Sequence, residues 1–286
     1  MSQTLNTNLI SLNAQRNLSS SQSSLATSMQ RLSSGLRVNS AADDAAGLSI
    51  AERMNSQVRG MRVAGRNAND AISLAQTAEG ALGQVGGILQ RMRELAVQAA
   101  NGTNSSTDRT SLNSEYLQLA SEATRTLGGT QFNGTNILAV TSAQTFQVGA
   151  GTSSTLDQIS VAAFGWTANA SITAAVGAAV TSAPTTAIAG TDGSFAVAAI
   201  TALDSAIDAV NSQRSTYGAV QNRFNNVVAT LQVATENQSA ARSRIMDADY
   251  ASETANLSRA NILQQAGNAM VAQANQLPQQ ILALLR

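Results

Sequence analysis

The sequence predicts a mainly α fold: a long helical hairpin or bundle with a small β-hairpin region, and helices at both ends that lack an obvious partner. Three observations carry this. Apolar residues recur at steps of 3 and 4 over long stretches of the 286-residue chain. A short region around residue 133 switches to turn-and-strand patterning. Only two prolines, Pro184 and Pro278, punctuate the whole.

Taken in order, the first helix carries a narrow seam. Leu18, Leu25, Met29, Leu32 and Leu36 step by 7, 4, 3 and 4, a heptad-like pattern. Leu5, Leu9 and Leu12 begin a similar seam in a different phase. Ser, Gln, Asn and Thr fill the remaining positions, so this helix buries little alone and is marginal in water. The stretch SSGLRVNSAADDAAG (33–47), with Gly35, Gly47 and the pair Asp43-Asp44, reads as a joint.

Helix resumes from Ala45 to Ala100. Ala75, Ala78, Leu82, Val85, Leu89, Met92, Ala96 and Ala99 step by 3 or 4 throughout. Gly80, Gly83, Gly86 and Gly87 lie within it, each costing about 1 kcal/mol against alanine, which a closely packed partner helix would offset. NGTNSSTD (101–108) is a loop with Thr107 or Asp108 as the expected N-cap. A second helix with Leu112, Tyr116, Leu119 and Ala123 on one face closes a helical hairpin.

The dipeptide Asn133-Gly134, between short apolar runs, predicts a β-hairpin. TFQV and DQISVAAF predict two further strands around a loop. Residues 165–195, rich in Ala, Thr and Gly, show no steady period and read as a variable insertion. Helix returns with Leu203, Ile207, Val210, Tyr217, Phe224, Val228 and Leu231 and runs on to the C-terminal region. There Leu263, Ala266, Met270, Ala274, Leu277, Ile281 and Leu284 step by 3 or 4. The layout is near-palindromic, so the two ends are expected side by side.

Composition excludes more than it includes. The chain has no histidine and no cysteine, which removes Ser-His-Asp triads, Cys-His pairs, disulfides and the usual zinc ligand sets. Asp43-Asp44 and Asp247/Asp249 are the nearest acidic pairs, and such pairs at helix ends act as caps. No phosphate-binding glycine loop is present. Formal net charge is zero, all 17 basic residues being arginine, so neither nucleic acid nor an anionic membrane is an expected partner. The opening MSQTLNTNLISLNAQRN lacks the basic and apolar regions of a cleaved secretory signal. No apolar run reaches the roughly 18 residues of a membrane span. No cofactor and no enzymatic activity are expected.

Several stretches carry a resemblance. LNTNLISLNAQRNL, RLSSGLRVNSAADDAAGLSIAERM, RNANDAISLAQTAEGAL and LQRMRELAVQAANGTNS resemble the N-terminal region of bacterial flagellin. GAVQNRF and SAARSRIMDADYASETANLSRANILQQAGNAMVAQANQLPQQILALLR resemble its C-terminal region. The likeness covers roughly residues 1–140 and 200–286, while the short middle departs from flagellins that insert large outer domains.

The resemblance implies a filament subunit for swimming motility, located in the extracellular flagellum. It implies export in unfolded form by the flagellar type III apparatus without signal cleavage, with an export chaperone on the C-terminal helices. Assembly with copies of itself would occur under a filament cap, with hook-associated proteins as further partners. Residues 1–44 and 243–286 would be disordered in the free monomer and form a coiled-coil inner tube on polymerisation. Residues 45–164 and 196–242 would form the helical core domain, with 165–195 as the insertion. The seam residues Leu25, Met29, Leu32, Leu36, Leu263, Met270, Leu277, Ile281 and Leu284 would serve assembly. By motif matching, Arg91, Leu95 and Glu115 correspond to positions bound by Toll-like receptor 5. Arg91 and Leu95, four residues apart, and Glu115 on the partner helix are expected to share one outer patch.

Three other readings are open on the residues. A hook–filament junction protein shares such ends. An enzymatic flagellin needs an inserted HExxH motif, which a histidine-free chain lacks. A membrane-surface amphipathic helix needs a basic polar face, and ANQLPQQILALLR has one Arg.

Overall fold

A computed structural model describes residues 7–176, 188–190 and 192–284, with the side chains of 277–284 outside the description. Among the described residues, six α-helices dominate: α1 (Leu9–Ser34), α2 (Ala45–Ala100), α3 (Ser106–Gly129), α4 (Ala170–Val176), α5 (Ser194–Met246) and α6 (Tyr250–Leu284). Four short strands complete the fold: β1 (Gln131–Phe132), β2 (Thr135–Asn136), β3 (Gln144–Gln147) and β4 (Gln158–Val161). They form two separate antiparallel pairs, β1 with β2 and β3 with β4. The expected mainly α fold with a small β region is what the chain adopts.

The chain divides into two compact units, residues 1–57 with 236–286 and residues 58–235. Both boundaries fall inside helices, within α2 and within α5.

The larger unit holds the main core. Every residue of the predicted α2 seam, from Ala75 to Ala99, is fully buried. It packs with Leu203, Val210, Tyr217 and Phe224 of α5 and with Tyr116, Ala120, Ala123 and Leu127 of α3. The α3 face is thus turned from the predicted one, since Leu112 and Leu119 are only partly buried. The four α2 glycines do not serve a close helix crossing. No atom lies within 4 Å of a Cβ placed at Gly80, Gly83 or Gly87, and at Gly86 only Val210 comes as near as 4.0 Å.

The β region follows its turn chemistry. Asn133 and Gly134 both take positive φ, 49° and 77°, as a type I′ turn demands, and Phe132 pairs with Thr135 across it. In the β3–β4 connection the Asp157 carboxylate accepts from the Ser153 N–H at 3.0 Å. A Cβ at Gly149 or Gly151 would collide with that carboxylate, so the loop needs glycine at both. Part of the predicted insertion is ordered: a 3-10 turn at Trp166–Ala168 leads into α4. Trp166, Ile172, Ala175 and Val176 join the core, and the Tyr116 hydroxyl donates to the Ala175 carbonyl at 3.1 Å. Ile188, farther along, is buried in the same core, its N–H donating to Asn113 Oδ1 at 2.9 Å; residues 177–187, with Pro184, and 191 lie outside the described residues.

The smaller unit is built on paired chain breaks. Helix α1 ends at Gly35, in the left-handed conformation (φ 72°), whose N–H returns to the Arg31 carbonyl at 2.8 Å. Asp43 then accepts from the Asn39 and Ser40 N–H groups, and Asp44 caps α2 through the Gly47 N–H at 2.8 Å. The expected continuous C-terminal helix is in fact broken after Met246. There the Met246 carbonyl accepts from the Arg37 N–H at 2.6 Å, and the Ala248 N–H donates to the Gly35 carbonyl at 3.0 Å. Asp249 starts α6 by accepting from the Ala251 N–H. Val38, Ala51 and Met246 form a small core beside these breaks.

Candidate functional site

Two surfaces hold the residues singled out from the sequence. The first is the α1–α6 pair, which runs antiparallel. The Asn8 side chain caps α1 by accepting from the Ser11 N–H and donates to the Ala274 carbonyl at 2.7 Å. The Ser11 hydroxyl donates to Asn275 Oδ1 at 2.7 Å. At the other end Arg31 faces Glu253 at 4.0 Å.

The buried positions of this pair are small or polar: Ser11, Ser28, Ala260, Ala274 and Glu253. Gly267 lets Leu18 approach so closely that an added Cβ would meet Leu18 Cδ1 at 3.1 Å. The predicted leucine seam is therefore only partly engaged within the chain, Leu18 meeting Gly267. Leu25, Leu32 and Leu36 are half-buried, while Met29, Leu263 and Met270 stay 57%, 51% and 60% exposed. The side chains of Leu277, Ile281 and Leu284 lie outside the described residues, as does Leu5. Small side chains allow tight approach of two helices and turn the larger apolar ones outward. An open groove of about 530 Å³, lined by Leu9, Ile10, Leu18, Leu263 and Met270, results. Exposed apolar stripes of this kind mark interaction sites.

The second surface lies on the α2–α3 hairpin. The Arg91 guanidinium donates to Glu115 Oε1 through Nε at 3.0 Å and Nη2 at 2.9 Å, and through Nη1 to Glu94 Oε2 at 2.9 Å. These carboxylates, Glu94 first and then Glu115, push the Arg91 pKa up. All three groups are solvent-facing, so the pairs fix geometry more than stability. Leu95 departs from the expected outer patch: it is 1% exposed and part of the main core. At i, i+4 from Arg91 it follows the inner edge of the helix, where the core face is wider than the eight-residue seam. Glu94 takes its place beside Arg91.

The hairpin turn differs from the expected one. Its N-cap is Ser105, not Thr107 or Asp108, in a reciprocal capping box with Asp108. The Ser-x-x-Asp spacing was the available signal. Arg109 is buried and donates to the Ala99 carbonyl at 2.9 Å and the Asn101 carbonyl at 3.2 Å, satisfying the open end of α2. No sequence pattern announces that role.

Electrostatics here have one readable consequence. Ser105 holds the Asp108 carboxyl below its usual range, as Arg93 does for Asp204 and Arg125 for Glu122. Depressed carboxyls contribute stability that is present above their unfolded pKa and lost as pH falls through the folded one. With no histidine, cysteine or lysine, the chain lacks every side-chain type whose ordinary pKa lies between those of the carboxylates and tyrosine. The urea midpoint is expected to stay level from about pH 6 to 9 and to drop below about pH 4. A midpoint that moves between pH 6 and 9 would contradict this.

Comparison with known proteins gives a consistent result. The family described as bacterial flagellin N-terminal helical region matches residues 5–143, and that described as bacterial flagellin C-terminal helical region matches residues 200–285. A flagellin of Halalkalibacterium halodurans is 45% identical over 284 residues, covering 99% of both chains. A flagellin of Bacillus subtilis is 42% identical over 307 residues, again covering 99% of each. Flagellin FlaB2 of Treponema pallidum is 40% identical over 294 residues with the same coverage.

Proposed function

The chain belongs to the bacterial flagellin family, a self-polymerising structural component of the extracellular flagellar filament and not an enzyme, and on that footing we propose how it is delivered and seated. The flagellar type III export apparatus passes it unfolded, without signal cleavage, and an export chaperone masks the C-terminal helices beforehand. It adds beneath the filament cap, in a filament bounded by hook-associated proteins. Residues 1–44 and 243–286 form a coiled-coil inner tube. Residues 45–164 and 196–242 form the surrounding helical shell, and 165–195 is a variable insertion.

The observation that carries this reading is the exposure of Met29, Leu263 and Met270 beside a small-residue α1–α6 contact. Ordering a backbone costs about 1–2 kcal/mol per residue. Serines and alanines bury little area to offset that at about 25 cal/mol per Å². Neighbouring copies supply the missing area, which couples folding of the ends to assembly. Limited proteolysis of dilute monomer is expected to trim both ends, leaving a folded fragment that does not polymerise. Ends that resist protease in a proven monomer would overturn the proposal.

A second reading concerns the hairpin. The Arg91–Glu115 pair favours recognition of the monomer by Toll-like receptor 5, with Leu95 supporting the patch from beneath. Arg91→Ala and Glu115→Ala are each expected to weaken receptor signalling by roughly tenfold. A cell reporter assay reads this, and unchanged potency in both variants defeats it.

A further inference from the structure

The turn between α2 and α3 holds an arrangement apart from the α1–α6 groove and the Arg91–Glu115 pair. Asn101 is exposed and precedes Gly102, also exposed, which offers a backbone nitrogen with no side chain to obstruct it. The Asn101 carbonyl accepts from two donors, the Arg109 guanidinium and the Asn104 N–H, each at 3.2 Å. Its side-chain oxygen accepts from the Thr103 N–H at 3.3 Å, an Asx turn that bends the carboxamide back along the Gly102 amide.

We propose that Asn101 is a site of self-modification, at which the Gly102 nitrogen closes on the Asn101 carboxamide carbon. The Gly102 N–H proton leaves to solvent base, the N–Cγ bond forms, and the Cγ–Nδ2 bond breaks with release of ammonia. Water then opens the resulting succinimide at either carbonyl, giving aspartate or isoaspartate at position 101. No oxidant or cofactor takes part.

The surroundings favour both halves of the step. Removing the Gly102 proton places negative charge on the Asn101 carbonyl oxygen, where the Arg109 cation already donates; hydrogen bonding to a charged form favours that form. The Thr103 N–H polarises the attacked carbonyl and meets the oxyanion that develops on it. The chain carries its own control, because Asn133-Gly134 is the other such dipeptide. There the turn is fixed at φ 49° between paired strands, so closure would have to break the β1–β2 hairpin. The product puts a carboxylate where a neutral amide stood, and isoaspartate lengthens the turn by one backbone carbon. Subunits would then carry a record of their age.

The test incubates folded protein at mildly alkaline pH and follows both sites by tryptic mapping. Asn101 lies in fragment 94–109 and Asn133 in fragment 126–214. Free peptides of residues 94–109 and 127–140 in the same buffer give the unstructured rates. In the folded chain Asn101 is expected to react about tenfold faster than in its peptide, because a donor already meets each developing charge, and Asn133 more slowly than in its peptide. Gly102→Ala, whose Cβ meets no atom within 4 Å, is expected to suppress reaction at 101 and leave 133 unchanged. A native Asn101 rate at or below the peptide rate overturns the proposal, as does undiminished reaction in Gly102→Ala.

Discussion

Leu263→Asp combined with Met270→Asp is expected to give a chain that folds its core normally and forms no filaments. Both side chains are more than half exposed in the isolated subunit, so the substitutions remove little buried area and add two solvated carboxylates. Seated against a neighbouring copy, each carboxylate would have to be desolvated, at an effective cost of several kcal/mol. Since about 1.4 kcal/mol is tenfold, two such sites raise the concentration needed for polymerisation by roughly a thousandfold or more. Circular dichroism should match the parent chain, while seeded growth followed by light scattering should show no elongation. Normal filaments from the double variant would mean that this stripe faces solvent in the assembly, and the seating proposed for α6 would fall.

Phe224→Ala is expected to have the opposite signature: filament contacts intact, subunit stability largely lost. The ring is fully buried and meets Phe146 edge to face, centroids 5.7 Å apart at 83°. It thereby ties α5 to β3. Truncating a buried phenylalanine costs about 3–5 kcal/mol, of which the aromatic pair supplies about 0.5–1.5 kcal/mol. Against a total stability of about 5–15 kcal/mol for an ordinary domain, that is a large share. Urea denaturation measures it, and a loss below about 1 kcal/mol would mean that the core relaxes into the space.

The contrast between these two substitutions also explains what was legible in the sequence. The α2 seam from Ala75 to Ala99 was readable to the last residue, because a long helix in a core must repeat its apolar face at steps of 3 and 4. Asn133-Gly134 was readable for a local reason, as few other dipeptides accept two positive φ angles. The terminal seams were legible as periodicity alone. Leu25, Met29, Leu263 and Met270 have the right spacing for a helical partner, yet spacing does not say whether the partner is α6 or another molecule. Leu18 meets Gly267 of α6, and how much of the seam that contact leaves open depends on how close the two helices come, which spacing does not encode.

The burial of Leu95 was not legible for a different reason: a position beside a seam is in or out depending on how many elements pack there, and α2 packs against several. Arg109 was invisible because its partners are backbone carbonyls, which every residue carries. The break at Asp247 was hidden in the same way, since α5 yields there to backbone bonds with residues 35–38, more than two hundred positions away in sequence.

That break has a mechanical meaning. A continuous helix transmits torque along its axis, whereas a single gap in one is a free swivel. Here the outgoing chain is interrupted after Ser34 and the returning chain after Met246, at the same level, and the loose ends are stitched to each other by backbone bonds and the Leu36–Asp247 bridge. Neither gap can turn unless the other turns with it. Twisting either break would therefore strain the backbone bonds that join residues 35–38 to 246–248, which makes the pair a fold line rather than a loose joint.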